Sequence, residues 1–316
     1  MNHVLYVDKA KENVAMDLGT LVHRLFETEI SKPVLTDAAF DEALQGLLAK
    51  RPLYTARERY LLSHHVKTLK MMFMAIKKQH EKTSYHLYKR EEKVTVDYDK
   101  ATLVGVVDKV MALNDESRKK VFLVDYKTGA ETLVLPRLLY GLNVQLLFYV
   151  LLVNATYESA VDITGFFEQT VIPKVAKLKS DKVQDEVIEE HSLLKGYTIA
   201  DYKDIELLDQ GVSEASFIKG HKINKDGRLN AKAKTYQKEE LTLWLSHLES
   251  MIEMAITTIF KGSFTIDPKR IKNNEVSCEY CAFKDICYRQ ESDFIDLDLP
   301  KDQEALRHEI KQRGEQ

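Results

Sequence analysis

The sequence predicts an α/β (α+β) fold in which a central mixed β-sheet is flanked by helices. Three observations lead there. From Lys93 the chain reads KVTVDYDKATLVGVVDKVMAL, then a polar loop NDESRKK, then VFLVDYKTG: β-branched runs separated by turn residues, the pattern of strands and hairpins. Residues 137–156, RLLYGLNVQLLFYVLLVNAT, are apolar on nearly every side and predict a helix buried against that sheet. Ahead of the strands, residues 17–31 place Leu18, Leu21, Val22 and Leu25 at the i, i+3, i+4, i+7 spacing of one helical face. Residues 36–50 and 55–80 carry similar periodicity, so helices flank the sheet on its N-terminal side.

The remaining elements follow in order. DITGFFEQTVI, from Asp162, predicts another strand. Residues 172–236 are rich in lysine and weakly periodic, and they read as an elaborated insertion. Helical order returns at 237–261, with Glu239 and Glu240 in the first turn and Lys261 and Gly262 closing the end. Residues 291–316 are expected to be a charged, fraying tail. The chain is thus expected to hold one domain over residues 1–290, with a helical insertion at about 32–90 and the lysine-rich one at 172–236.

Composition limits the function classes. A charged fraction of 30% with only 12 Gly and 6 Pro describes a globular protein without low-complexity tracts. No apolar run approaches the ~20 residues needed to cross a bilayer, and the first residues lack the apolar core of a secretory signal, so a cytoplasmic protein is expected. A net charge of −3 gives no global sign of a nucleic-acid partner, and any such role needs local basic patches.

Two apolar strands each end in aspartate, VGVVD at Asp108 and VFLVD at Asp125, with Lys127 two residues further on. Side chains alternate along a strand, so Asp125 and Lys127 share a face. An antiparallel hairpin with Asp108 opposite either Asp125 or Lys127 brings all three together, whereas a one-residue slip turns Asp108 away. Carboxylates hold Mg2+ or Mn2+, the Tyr126 carbonyl can add a ligand, and a nearby lysine can orient an attacking water at a phosphodiester. Taken alone, Asp-x-Lys describes a surface ion pair as readily.

The motif order decides between these. GVVDKV, then VDYKTG, then GLNVQLLFY resembles the RecB-like branch of the PD-(D/E)xK nucleases, where G-x-x-D, D-Y-K-[ST]-G and Q-x-x-x-Y occur in that order. The resemblance implies a restriction-endonuclease-like core, Mg2+- or Mn2+-dependent DNA hydrolysis, and site residues Asp108, Asp125, Lys127, Gln145 and Tyr149. Gln145 and Tyr149, four apart, would project from one side of a helix. The family's G-x-x-x-H-x-x-x-E frame falls on Gly19, His23 and Glu27, and the resemblance implies that His23 is a metal ligand. One departure is visible. Where relatives often carry D-R-x-D, this chain has Asp108, Lys109, Val110, Met111, without the second acidic group.

Cys278, Cys281 and Cys287 form C-x2-C-x5-C, a layout suited to one soft metal centre. The same spacing after the last long helix is similar to the iron-sulfur motif of the AddB subunits of AddAB helicase-nucleases and of CRISPR-associated RecB-like exonucleases. That implies a [4Fe-4S] cluster whose fourth cysteine lies upstream of this sequence, with the open side of the three thiols expected to face His3 to Tyr6. A Zn2+ site completed by one histidine is the alternative. The AddB likeness runs from about Gly19 to Tyr288 and implies a DNA-cutting subunit beside a helicase partner, since no G-x-x-x-x-G-K-[ST] phosphate loop occurs here. Residues 217–238 hold seven Lys or Arg against one acid, Asp226, and Lys219, Lys222, Lys225 and Arg228 are its candidate DNA contacts. A stand-alone exonuclease and a non-catalytic binding scaffold are the other readings. The intact aspartate and lysine set argues against the scaffold.

Overall fold

The structure, a computed structural model, describes residues 25, 38, 40–42, 45–46, 56–98, 100–115, 118–127, 133–157, 161–171, 181–213, 216–225, 227–272, 274–275, 278, 281–283 and 286–314. Helix α1 (Ala56–His80) leads into strands β1 (His86–Tyr98), β2 (Ala101–Asn114) and β3 (Lys119–Lys127). A 3-10 turn (Leu135–Tyr140) and helix α2 (Gln145–Thr156) precede β4 (Val161–Thr170). Helix α3 (Asp181–Ser192), β5 (Leu194–Ile199), α4 (Tyr202–Leu208) and β6 (Thr235–Tyr236) follow. Beyond them come α5 (Lys238–Phe260), β7 (Lys269–Ile271), β8 (Asn274–Glu275), β9 (Ile295–Asp296) and α6 (Gln303–Gly314).

The sheet order is β1-β2-β3-β4-β5-β6. β2–β3 and β4–β5 pair antiparallel, while β3–β4 and β5–β6 pair parallel. This is the mixed sheet with flanking helices that the sequence predicts. The contacts divide the chain into two compact units, one of residues 1–96, 104–133 and 152–236, the other of residues 97–103, 134–151 and 237–316.

In the first unit the core follows from two periodicities. Leu69, Met72, Phe73 and Ile76 lie at i, i+3, i+4, i+7 on α1 and are all buried. Three of them join Phe122, Val124 and Tyr126 of β3, Met111 of β2 and Phe167 of β4 in one apolar cluster. Because strand side chains alternate, that face of β3 is the one opposite Asp125. Six consecutive residues of β3 are buried, as expected for a strand covered on both faces. Gln79, Gln169 and Ser192 tie α1, β4 and α3 together: the Gln169 amide donates to the Gln79 side chain at 2.7 Å and to the Ser192 carbonyl at 2.9 Å.

Several expectations need correction. The stretch 32–90 is not helical throughout, because β1 begins at His86; an edge strand needs little burial, so its charged face hides the pattern. The segment 172–236, expected as a lysine-rich insertion, carries β5 and β6 of the central sheet. Those strands have six and two residues, too short to show a period. The long helix expected over 137–156 is broken at Gly141, whose φ of 66° ends the 3-10 turn; Asn143 is also left-handed, and α2 starts afresh at Gln145.

In the second unit, Gln237 and Glu240 form a capping box on α5, and Trp244 and Leu248 are buried. The tail expected to fray is ordered. β9 pairs with β7, and α6 packs against α5 and the 3-10 turn through Leu306 and Ile310, four residues apart in an otherwise charged helix. Arg313 donates to the Leu139 carbonyl at 3.1 Å and stacks on Tyr140, closing the contact. Leu306→Ala is expected to cost about 2–5 kcal/mol, because Leu306 is fully buried. Urea melts check this; an unchanged midpoint would mean that the helix contributes no stability.

Candidate active site

β2 and β3 run antiparallel with Lys109 opposite Val124, so one step further Asp108 falls opposite Asp125. Both carboxylates therefore face the same side of the sheet. Asp108 accepts the backbone N–H of Tyr126 at 2.6 Å, which pins its carboxylate to β3. Asp125 is 3% exposed, and Lys127 reaches its carboxylate at 2.5 Å along the same face. Burial pulls the Lys127 pKa down, but the Asp125 pair and the charges of Glu168 and Asp108 outweigh it, so the net shift is upward and the ammonium stays charged.

β4 adds a third carboxylate. The parallel register puts Glu168 beside Asp125 and Thr170 beside Lys127. Glu168 is buried and accepts the Leu133 N–H at 2.8 Å. Sequence reasoning missed it, although a lone glutamate inside the apolar run GFFEQT was the available signal. Lys195, opposite Glu168 on β5, was missed as well.

On the reverse face Tyr126 packs its ring into the core, and only its backbone reaches the aspartates. Lys109, in the position where relatives often carry arginine, is buried 3.1 Å from His80 and 5.3 Å from the Tyr126 ring centroid. Burial lowers its pKa to about 7 against the opposing charge of Asp108. His80 falls further, to about 2, through burial and then Lys109, so it serves as a neutral acceptor.

The remaining candidates are distributed as follows. Gln145 donates to the Tyr149 hydroxyl at 2.8 Å in the first turns of α2, within the second unit. Gly19, His23 and Glu27 lie outside the described residues, as does the stretch His3 to Tyr6 expected near the cysteines. Lys219 stands at the sheet edge, while Lys222, Lys225 and Arg228 lie on an exposed turn closed by the Asn224 N–H to Arg228 carbonyl bond at 2.8 Å. Cys278, Cys281 and Cys287 are free thiols, with the Cys281 N–H directed to the Cys278 carbonyl at 3.3 Å. Among the described residues no three Cys, His, Asp or Glu side chains converge at metal-binding distance. Thiols have no mutual attraction, and only a bound ion draws them together.

The pattern of the PD-(D/E)XK nuclease superfamily matches residues 1–288, and the chain belongs to that superfamily. By class it is thus a nuclease, a hydrolase of phosphodiester bonds. The chain is also similar to curated proteins named as one subunit of an ATP-dependent helicase/deoxyribonuclease. That of Thermoanaerobacter sp. (strain X514) is 30% identical over 199 residues, 60% of this chain and 17% of that protein. That of Caldanaerobacter subterraneus subsp. tengcongensis is 24% identical over 324 residues, 90% of this chain and 28% of that protein. The chain thus spans less than a third of the length of these relatives. Among the described residues no helix is long and apolar enough to cross a membrane.

Proposed function

We propose that this chain is a metal-dependent deoxyribonuclease domain that cuts single-stranded DNA at the face carrying Asp108, Asp125 and Lys127. The observation that supports this most is the register that sets the two aspartates opposite each other with Lys127 paired to Asp125. Two carboxylates, with the Tyr126 carbonyl between Asp125 and Lys127, offer hard oxygen donors that fit Mg2+ or Mn2+. Such an ion, when bound, polarises the scissile phosphate and lowers the pKa of a water. Asp108 and Asp125 would hold such an ion through their carboxylates, and His23 would add a nitrogen ligand. Lys127, kept charged by its neighbours, orients the attacking water or offsets charge on the phosphate. Gln145 and Tyr149 position the strand. The names of the relatives support a place in an ATP-dependent helicase/deoxyribonuclease; on this reading the domain works in the cytoplasm on DNA ends during repair, beside a helicase partner.

Purified protein is expected to cut a labelled single-stranded oligonucleotide with Mg2+ or Mn2+ and not with EDTA. Lys127→Ala is expected to slow cleavage about 100-fold or more with an unchanged circular dichroism spectrum. Cutting in EDTA, or a Lys127→Ala protein as fast as the parent, sinks this reading.

A further inference from the structure

We infer that Lys195, Lys219 and Lys234 form a second phosphate-binding site on the sheet face of the paired aspartates, gripping the polynucleotide backbone beside the bond to be cut. The inference rests on the nuclease reading above.

The sheet register carries it. Asp125 pairs with Glu168, and Glu168 pairs with Lys195, so these three side chains form a line across β3, β4 and β5 on one face. Lys195 donates to Thr170 at 3.0 Å, the residue beside Lys127. Ile218 bridges Leu194 in parallel and the Lys219 N–H donates to the Leu194 carbonyl at 2.8 Å, which sets Lys219 next to Lys195. On the outer side, the Lys234 carbonyl accepts from Thr198 at 3.1 Å, and its ammonium lies 5.4 Å from the Tyr197 ring centroid. Tyr197 is buried and stacked on Phe166, so Lys234 rests on a fixed platform.

The segment delivering Lys219 is held at both ends. Asp209 accepts from the Ser216 hydroxyl at 2.6 Å and from the Phe217 N–H at 2.9 Å. His221, buried, shares a 2.8 Å hydrogen bond with Thr198. Between them Gly220 adopts φ +84°, and a Cβ there would meet the Lys232 carbonyl at 2.6 Å. Such a segment presents its lysine without paying to order it on binding. By contrast, Lys222, Lys225 and Arg228 ride on the exposed turn beyond it.

Charge completes the case. Burial lowers the Lys195 pKa and the neighbouring Lys219 lowers it further, while Glu168 and Glu190 oppose. Lys234 is lowered by burial and by Lys219, with Glu168 opposing. Glu168 is thus shared among Lys127, Lys195 and Lys234, with Glu190 adding its charge at Lys195, and an added anion relieves the repulsion that Lys219 exerts on Lys195 and Lys234. β3 and β5 are two strand spacings apart, roughly 10 Å, so the lysines meet a neighbouring phosphate rather than the one at Asp125.

The test measures binding of a fluorescent single-stranded oligonucleotide in EDTA, where it stays uncut, across a salt series. The triple variant Lys195→Gln, Lys219→Ala, Lys234→Ala is expected to bind about tenfold or more weakly, with the log-affinity against log-salt slope shallower by about 0.7 per lost contact. The control Lys301→Ala with Lys311→Ala, which removes two exposed lysines elsewhere, changes affinity less than twofold. Lys219→Ala alone, at an exposed position, shows part of the loss even if the triple variant folds poorly, and Lys219→Arg restores it. Equal binding by parent and triple variant overturns the site, as does an equal loss in the Lys301 and Lys311 variant or a parent that binds no DNA. A parent that binds through these lysines but never cuts overturns the nuclease reading and leaves the site standing.

Discussion

Asp125→Asn is expected to lower divalent-ion-dependent cleavage by about 1000-fold or more while the protein keeps its fold. The amide has nearly the volume of the carboxylate, so the packing around this 3% exposed side chain is preserved and the change is mainly one of charge. It removes one of the carboxylates available to a hard cation, an interaction worth several kcal/mol in the transition state. It also removes the carboxylate that does most to raise the Lys127 pKa, so that pKa should fall. Single-turnover rates at saturating Mn2+ and the Mn2+ affinity read by electron spin resonance check both parts. A variant that binds Mn2+ and cuts as the parent does would remove Asp125 from the metal site.

Gly196→Ala is expected to destabilise the protein by about 3 kcal/mol, the upper end for overpacking a rigid site. Gly196 pairs with Phe167 across β4 and β5, and an ideal Cβ there meets the Phe166 carbonyl at 2.0 Å and the Phe167 Cα at 2.8 Å. Both are backbone atoms of a central strand paired on each side, so no side chain can swing away to relieve the clash. Gly227→Ala is the control. It has nothing within 4 Å of its Cβ and only the strain of φ +79°, about 1–2 kcal/mol. Urea unfolding separates the two; a smaller loss at Gly196 than at Gly227 would contradict the close approach of β4 and β5. Because Lys195 and Tyr197 flank Gly196, the same substitution should weaken DNA binding.

Much of the site was legible because its spacing is local. Asp125 and Lys127 lie two apart on one strand, and period-2 geometry alone puts them on one face. Gln145 and Tyr149 lie four apart, and they hydrogen-bond as helical spacing allows. Elements with a strong periodic stripe were legible too, α1 through Leu69 to Ile76 and α5 from Glu239 to Gly262. Weak or mixed signals misled. A single glycine and a left-handed asparagine split an otherwise continuous apolar run at Gly141 and Asn143. Two apolar residues, Leu306 and Ile310, suffice to anchor a helix whose composition reads as a solvated tail.

By itself the sequence determined the alternation that gives β2 and β3 their faces, the amphipathic stripe of α1, and the order of motifs that marks the superfamily. Each depends on residues close in the chain, where covalent geometry sets the directions of side chains. Only the tertiary structure decided that Asp108 stands opposite Asp125, since the polar stretch NDESRKK by itself leaves hairpin register open and the buried face selects it. Tertiary structure also brought Glu168, Lys195, Lys219 and Lys234 onto the face of Asp125. Those residues come from separate strands and a loop joined by parallel and antiparallel pairing, and no local rule in the chain encodes which strands become neighbours.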